Sequence, residues 1–234
     1  MDKPYATGAD NGIVIPAATD LADRCMPSVL GIRRNRLLGF GRIAAALGIV
    51  LCGAIQLVAS DLFPPDVSVS QYGIGPHGWV FTLWTVVVAI SIPALLVARP
   101  GFRRAALPWV VVGGLGLVVM GLVRTDAGGL QQSGHAKVHM IAAIVGLVAI
   151  PIGMAVGLRT ARACWRRSAW LLVVLSAVAL VMVLASAAGA ATFGLDAPHS
   201  WALWQSVAVT VDMALLVVFA ASSPAEPIDC PERG

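Results

Sequence analysis

The sequence predicts an all-α fold, a bundle of six antiparallel transmembrane helices with both termini cytoplasmic. Three observations predict it. Hydrophobic residues make up 58% of the chain and charged residues only 12%, with a mean hydropathy of +0.84, whereas a soluble domain carries about 25% charged residues. Six stretches, roughly 38–60, 79–98, 105–123, 138–158, 169–191 and 201–221, each supply the ~20 apolar residues that cross a hydrocarbon core. Finally, the basic residues fall on alternate loops. With the N-terminus inside, fourteen of the sixteen lie on the inner side, among them Arg33, Arg34, Arg99, Arg103, Arg159 and Arg166, and only Arg124 and Lys137 lie outside. That bias orients a multi-pass protein.

Each stretch must be helical, because a segment alone in lipid has to satisfy its own backbone hydrogen bonds. The connections are short, so consecutive helices are expected to pack as antiparallel hairpins. In the first span Ala44, Gly48, Cys52 and Gln56 recur every four residues, a stripe of small residues ending in an amide. Such stripes let helices approach closely in lipid. Ala185 and Gly189 are read the same way in the fifth. Pro93 and Pro151 lie inside the second and fourth spans and predict kinks. Trp79, Trp109, Trp170 and Trp201 fall at span ends, where aromatic side chains anchor at the headgroups.

Around this membrane domain, 38–221, residues 1–37 read as a polar, mostly disordered cytosolic leader and 222–234 as a cytosolic tail. The leader has no early apolar run with a cleavage site, unlike a signal peptide. The location expected is the plasma membrane. The net charge of +4 does not point to nucleic acid, since the basic residues are spread over loops rather than gathered on one module. Of the four cysteines, Cys25, Cys164 and Cys230 face the reducing inner side and Cys52 lies within a span. Disulfides are therefore not expected.

With this topology, His77, His135, His139 and His199 all fall on the outer side, together with Asp61, Asp66, Asp126 and Asp196. Gln56 and Gln205 lie within a turn or two of the same surface. The first outer loop, Ser68 to Trp79, holds Tyr72 and turns at Gly73, Gly75, Pro76 and Gly78, as a lid over the bundle would. The stretch from Arg124 to Ala143 concentrates Asp126, His135 and His139. Two histidines four apart share a helix face, and with Asp126 they form a donor set that zinc accepts. Lys137 between them opposes a cation, and the glutamate of a hydrolase's H-E-x-x-H is missing. Asp212 stands apart, twelve residues into the last span. A carboxylate there costs about 2.5–3.5 kcal/mol, so it should face the bundle interior and find a partner.

Two local patterns give the membrane region a family resemblance. One is the loop Ser70-Gln71-Tyr72-Gly73-Ile74-Gly75-Pro76-His77-Gly78-Trp79. The other is Asp126 followed by Gly134 and a helix-starting His139-Met140-Ile141-Ala142-Ala143. On these the chain resembles the DUF998 family of six-helix membrane proteins over about residues 38–221, with Arg124-Thr125 where the family usually has Phe-Pro. In layout it is also similar to the Frag1/DRAM/Sfk1 group. The resemblance implies the same architecture and points at the same outer residues, without a reaction. The functional reading from sequence is a non-catalytic binder of a lipid, small amphiphile or partner in an outer polar pocket. Tyr72, His77, Asp126, His135, His139, Asp196, His199, Gln56 and Gln205 are its candidate contacts. The alternatives are a zinc-dependent intramembrane hydrolase of lipid-like substrates using His135, His139 and Asp126, and a proton-coupled transporter using Asp212.

Overall fold

A computed structural model describes residues 29–58, 67–99, 104–127 and 133–222. The expected leader up to residue 28, Asp61, Asp66, Arg103, Cys25 and the tail beyond Ser222 lie outside the described residues. Six helices are long and apolar enough to cross a membrane: α1 Val29–Val58, α2 Gly78–Val97, α3 Leu107–Leu122, α4 Gly134–Gly157, α5 Ala163–Ala187 and α6 Ala197–Ala221. Short 3-10 turns, Val69–Gly73, Arg104–Ala106 and Leu158–Thr160, complete the regular structure, and the described residues include no strand.

Four helices start four or more residues ahead of their apolar stretches, α6 among them at Ala197 against 201. Helix α1 begins at Val29 rather than 38, so Arg33, Arg34 and Arg36 belong to it, and α4 and α5 begin four and six residues ahead of 138 and 169. Hydropathy marks the part of a helix that suits lipid, whereas the hydrogen-bonded helix runs on until something caps it. Ser133 caps α4, its hydroxyl accepting from the Ala136 amide at 3.2 Å. At the other extreme α5 stops at Ala187, short of 191, because Gly189 turns the chain with φ +95°. Gly189 therefore ends a helix, and no atom of another part of the chain comes within 4 Å of a Cβ built there. The packing stripe expected at Ala185 and Gly189 is not formed.

The stripe expected in α1 is present. Ala44 and Cys52 are buried, and a Cβ on Gly48 would lie 2.8 Å from Cγ2 of Val88. A second glycine contact, between α3 and α4, was not read from the sequence. A Cβ at Gly116 would stand 2.8 Å from the Ala142 carbonyl and 2.9 Å from the Gly146 amide, and one at Gly113 would stand 2.8 Å from Ile150 Cγ1. Backbones approaching this closely gain dispersion and leave no room for side chains. Both α2 and α4 run without interruption through Pro93 and Pro151. Trp79, Trp109 and Trp170 are exposed, as anchors at span ends should be.

Consecutive helices pack most extensively on one another from α1 to α4, and α5 does so with α6. The α4–α5 contact is much smaller, so the last two helices form a hairpin set against a layer of four. Helix α5 is the least buried of the six, with 28% of its apolar window buried against 61% for α2 and α4. On the layer side the core is filled by Phe81, Ile92, Leu95, Leu96 and Met154, and on the hairpin side by Leu215, Leu216 and Phe219.

Glycine positions give a direct test of this packing. Gly116→Val is expected to lower stability by about 1–3 kcal/mol through overpacking. Gly53→Ala, where nothing lies within 4 Å of the new Cβ, is expected to hold or raise it by roughly 0.5–1 kcal/mol. Thermal unfolding of both variants in the same detergent checks the contrast.

Candidate functional site

The polar residues expected on the outer side gather in separate places rather than one. Asp126 receives the Ser133 amide at 2.9 Å and its hydroxyl at 2.5 Å, and His135 Nε2 lies 3.3 Å from the same carboxylate. His139 lies on the same helix but is buried, with Nδ1 2.6 Å from the Val123 carbonyl and its ring stacked on Phe81. One imidazole thus serves the Asp126 cap and the other the end of α3. Among the described residues no group of three or more His, Cys, Asp or Glu is placed to hold a metal ion. His135 and His139 are tied to different partners, so the geometry gives no support to a zinc triad with Asp126.

Asp196 caps α6, accepting from the His199 amide at 3.1 Å and meeting its Nδ1 at 2.5 Å. These hydrogen bonds, the side-chain one first, hold the Asp196 carboxyl below the usual carboxylate range. Tyr72 and His77 line a surface groove with Ala54, Ile55 and Phe81, beside the short turn that precedes α2. Burial pushes the Tyr72 phenol up. Gln56 reaches Thr210 of α6 at 3.5 Å, and Gln205 accepts from the Ser70 amide at 3.3 Å. These last two contacts tie the hairpin to the four-helix layer.

The structure does bring two of the expected residues to a common cavity. Gln205 and Asp212 line a narrow space between the layer and the hairpin, bounded by residues of α2, α3, α4 and α6 and closed by Val69 and Ser70 of the first loop. Apart from Thr85 and the indole N–H of Trp84 its walls are apolar, with Phe81, Val88 and Ile92 from α2, Leu117 from α3, Ile150 from α4 and Val209 from α6. Met120, Met154 and Met213 also face it. Asp212 is 5% exposed and accepts from the Ser176 hydroxyl of α5 at 2.7 Å, the intramembrane partner its position demands. This is its one hydrogen bond among the described residues, so the second carboxylate oxygen is unoccupied.

Trp84 and Arg99 were not singled out in the sequence. Trp84 lines the same cavity, is 4% exposed, and its Nε1 has no hydrogen-bond partner among the described residues. A buried indole N–H ordinarily finds one. The available signal was its position, several residues inside a span rather than at an end. Arg99, counted above only as an inner-side charge, is buried and grips the end of α6. Its guanidinium donates to the Phe219 carbonyl and, at 2.8 Å, to the Ser222 hydroxyl, and lies 4.1 Å from the centre of the Phe219 ring. Burial, then the charge of Arg42, pulls its pKa down to about 10, and it stays cationic at neutral pH. A cation at a helix C-terminus complements the partial negative charge there.

Fold and site together define a six-helix membrane protein with an interhelical cavity and without a recognisable catalytic constellation among the described residues. The chain belongs to the DUF998 family, described as a protein of unknown function, whose model matches residues 43–222. No curated protein and no solved structure matches it. The two patterns behind the resemblance have structural work in this fold: Asp126, Gly134 and His139 join α3 to α4, and Ser70 to Trp79 closes the cavity and starts α2.

The Asp196 cap titrates with a defined sign. A carboxyl whose folded pKa lies below its unfolded value stabilises the fold above the unfolded value and loses that contribution as pH falls through the folded one. Protection of the Ser200 amide, which bonds to the Asp196 carbonyl, measured against its intrinsic exchange rate at each pH, is expected to fall as pH drops below about 4. Asp196→Asn should remove that acid-side step, and an unchanged step would assign it elsewhere.

Proposed function

We propose that this chain is a multi-pass plasma-membrane protein with both termini cytoplasmic and antiparallel spans. We further propose that it binds a lipid or small amphiphile non-covalently in the cavity between the layer and the hairpin. The observation that carries this reading is a largely apolar cavity lined by both Asp212 and Trp84, whose Nε1 is buried without a hydrogen-bond partner among the described residues. Pockets for small molecules are mostly apolar with a few polar groups that fix orientation. Two features of the surroundings support entry of a ligand. No single helix pair across the boundary packs as extensively as the consecutive pairs on either side of it, and three methionines line the space, whose unbranched side chains repack readily.

The site differs from the outer-pocket reading of the sequence. Asp126, His135, His139, Asp196 and His199 are engaged at helix ends, and Tyr72 and His77 line a separate surface groove. The binding role proposed here falls to Trp84, Gln205 and Asp212. The topology rests on the 14-to-2 distribution of basic residues.

Native mass spectrometry of protein excised with its surrounding membrane tests the binding. Each chain is expected to retain one apolar molecule, and Val209→Trp, which fills the cavity, to lose it while unfolding within a few degrees of the parent. Retention no greater than for an unrelated six-helix protein would overturn the proposal. For the topology, Cys164 is exposed and is expected to react with a membrane-impermeant maleimide only in inverted vesicles. Labelling in intact cells would reverse the orientation.

A further inference from the structure

The cavity's polar groups restrict the head of whatever it binds. Trp84 Nε1 can only donate a hydrogen bond, and it is buried without an acceptor. Asp212 has one oxygen held by Ser176 and the other without a hydrogen bond among the described residues. The nearby hydroxyls are already engaged: Thr85 donates to the Thr82 carbonyl at 2.9 Å, and Ser70 pairs with Ser68 at 3.1 Å. Gln205 Oε1 is taken by the Ser70 amide. Gln205 Nε2 remains as a second donor on a side chain that is only partly buried, so the buried groups left to a ligand are an obligate donor and a carboxyl oxygen, set in largely apolar walls.

Each class of head group answers that pair differently. An ammonium can meet an ionised Asp212, but it has no lone pair for Trp84. A carboxylate can accept from Trp84, but it repels an ionised Asp212. A ketone or ether satisfies Trp84 and finds a donor at Asp212 only when that acid is protonated. A hydroxyl both donates and accepts, so it satisfies Trp84 and meets Asp212 in either protonation state. Leaving either buried group unpaired carries a desolvation penalty, which is what lets the pair discriminate between head groups.

We propose that the cavity is specific for a neutral aliphatic alcohol, with the hydroxyl bridging Trp84 Nε1 and Asp212 and the hydrocarbon lying along Val88, Ile92, Leu117 and Ile150. This rests on the binding role proposed above and specifies its ligand. No covalent step is involved. As it stands the space is narrow, so a short unbranched chain fits with the least displacement of Met120, Met154 and Met213.

The test measures saturable binding of tritiated n-octanol to the full chain in lipid nanodiscs, with empty nanodiscs as the partition control. Octane, octylamine, octanoate and 2-octanone serve as competitors. Octanol is expected to compete best. Trp84→Phe and Asp212→Val are each expected to weaken it roughly three- to tenfold, the worth of one hydrogen bond. Asp212→Asn keeps an acceptor oxygen and is expected to stay near the parent, which separates loss of the bridge from loss of the fold. Equal competition by octane, or better competition by octylamine or 2-octanone, would overturn the alcohol specificity while leaving a binder in place. Absence of saturable binding by every probe would overturn the binding role itself.

Discussion

A helix end leaves four backbone groups without an intrahelical partner, and near a bilayer there is little water to take them. In this protein the conspicuous polar side chains go largely to that need. Ser133 accepts from the first turn of α4 and is itself held by Asp126. His139 reaches back to the last carbonyls of α3, Thr82 donates to Gly121 at 2.7 Å, and Asp196 holds the first turn of α6. At the far end of α6, Arg99 takes the Phe219 carbonyl and the Ser222 hydroxyl. A helix cap is worth about 1 kcal/mol in water. Here the caps also fix how consecutive helices meet, since His139, Thr82 and Arg99 each belong to a different helix or loop from the end they satisfy.

Packing divides the bundle into a tight part and a looser one. Glycines at 113, 116 and 146 bring α3 and α4 into backbone contact, and Gly121 sits against Thr85 of α2. A van der Waals seam of this kind has no spare volume and resists sliding. The α5–α6 hairpin has no comparable seam against the layer. It is attached by separated polar contacts: Arg99 near the end of α6, Gln56 to Thr210, and Gln205 to the first loop. The cavity lies along this boundary, with the Asp212–Ser176 bond inside the hairpin and Trp84 on the layer. A ligand between them would touch both units.

The architecture was legible in the sequence because it follows from hydrocarbon thickness. Twenty apolar residues, six times over, leave little choice of fold, and residues 43–222 carry the family accordingly. Asp212 was also legible, since a mid-span carboxyl must face the interior, and it does. The stripe through Gly48 was visible as a four-residue period. Outer residues such as His135 and His139 were harder: spacing says that two side chains share a helix face, but one points at Asp126 and the other at Val123.

By itself the sequence determined six spans, a gathering of basic residues on alternate loops and an acid deep in the last helix, because each is a one-dimensional property of segment length, charge or depth. Only the tertiary structure decided that Asp126, His135, His139 and Asp196 meet helix ends while Tyr72 and His77 line a separate groove. The same structure paired Asp212 with Ser176 and put Trp84 on the wall of the same cavity, its N–H without a partner among the described residues. Those outcomes depend on which helices are neighbours and how closely their backbones approach, and neither is written in the hydropathy of any one segment.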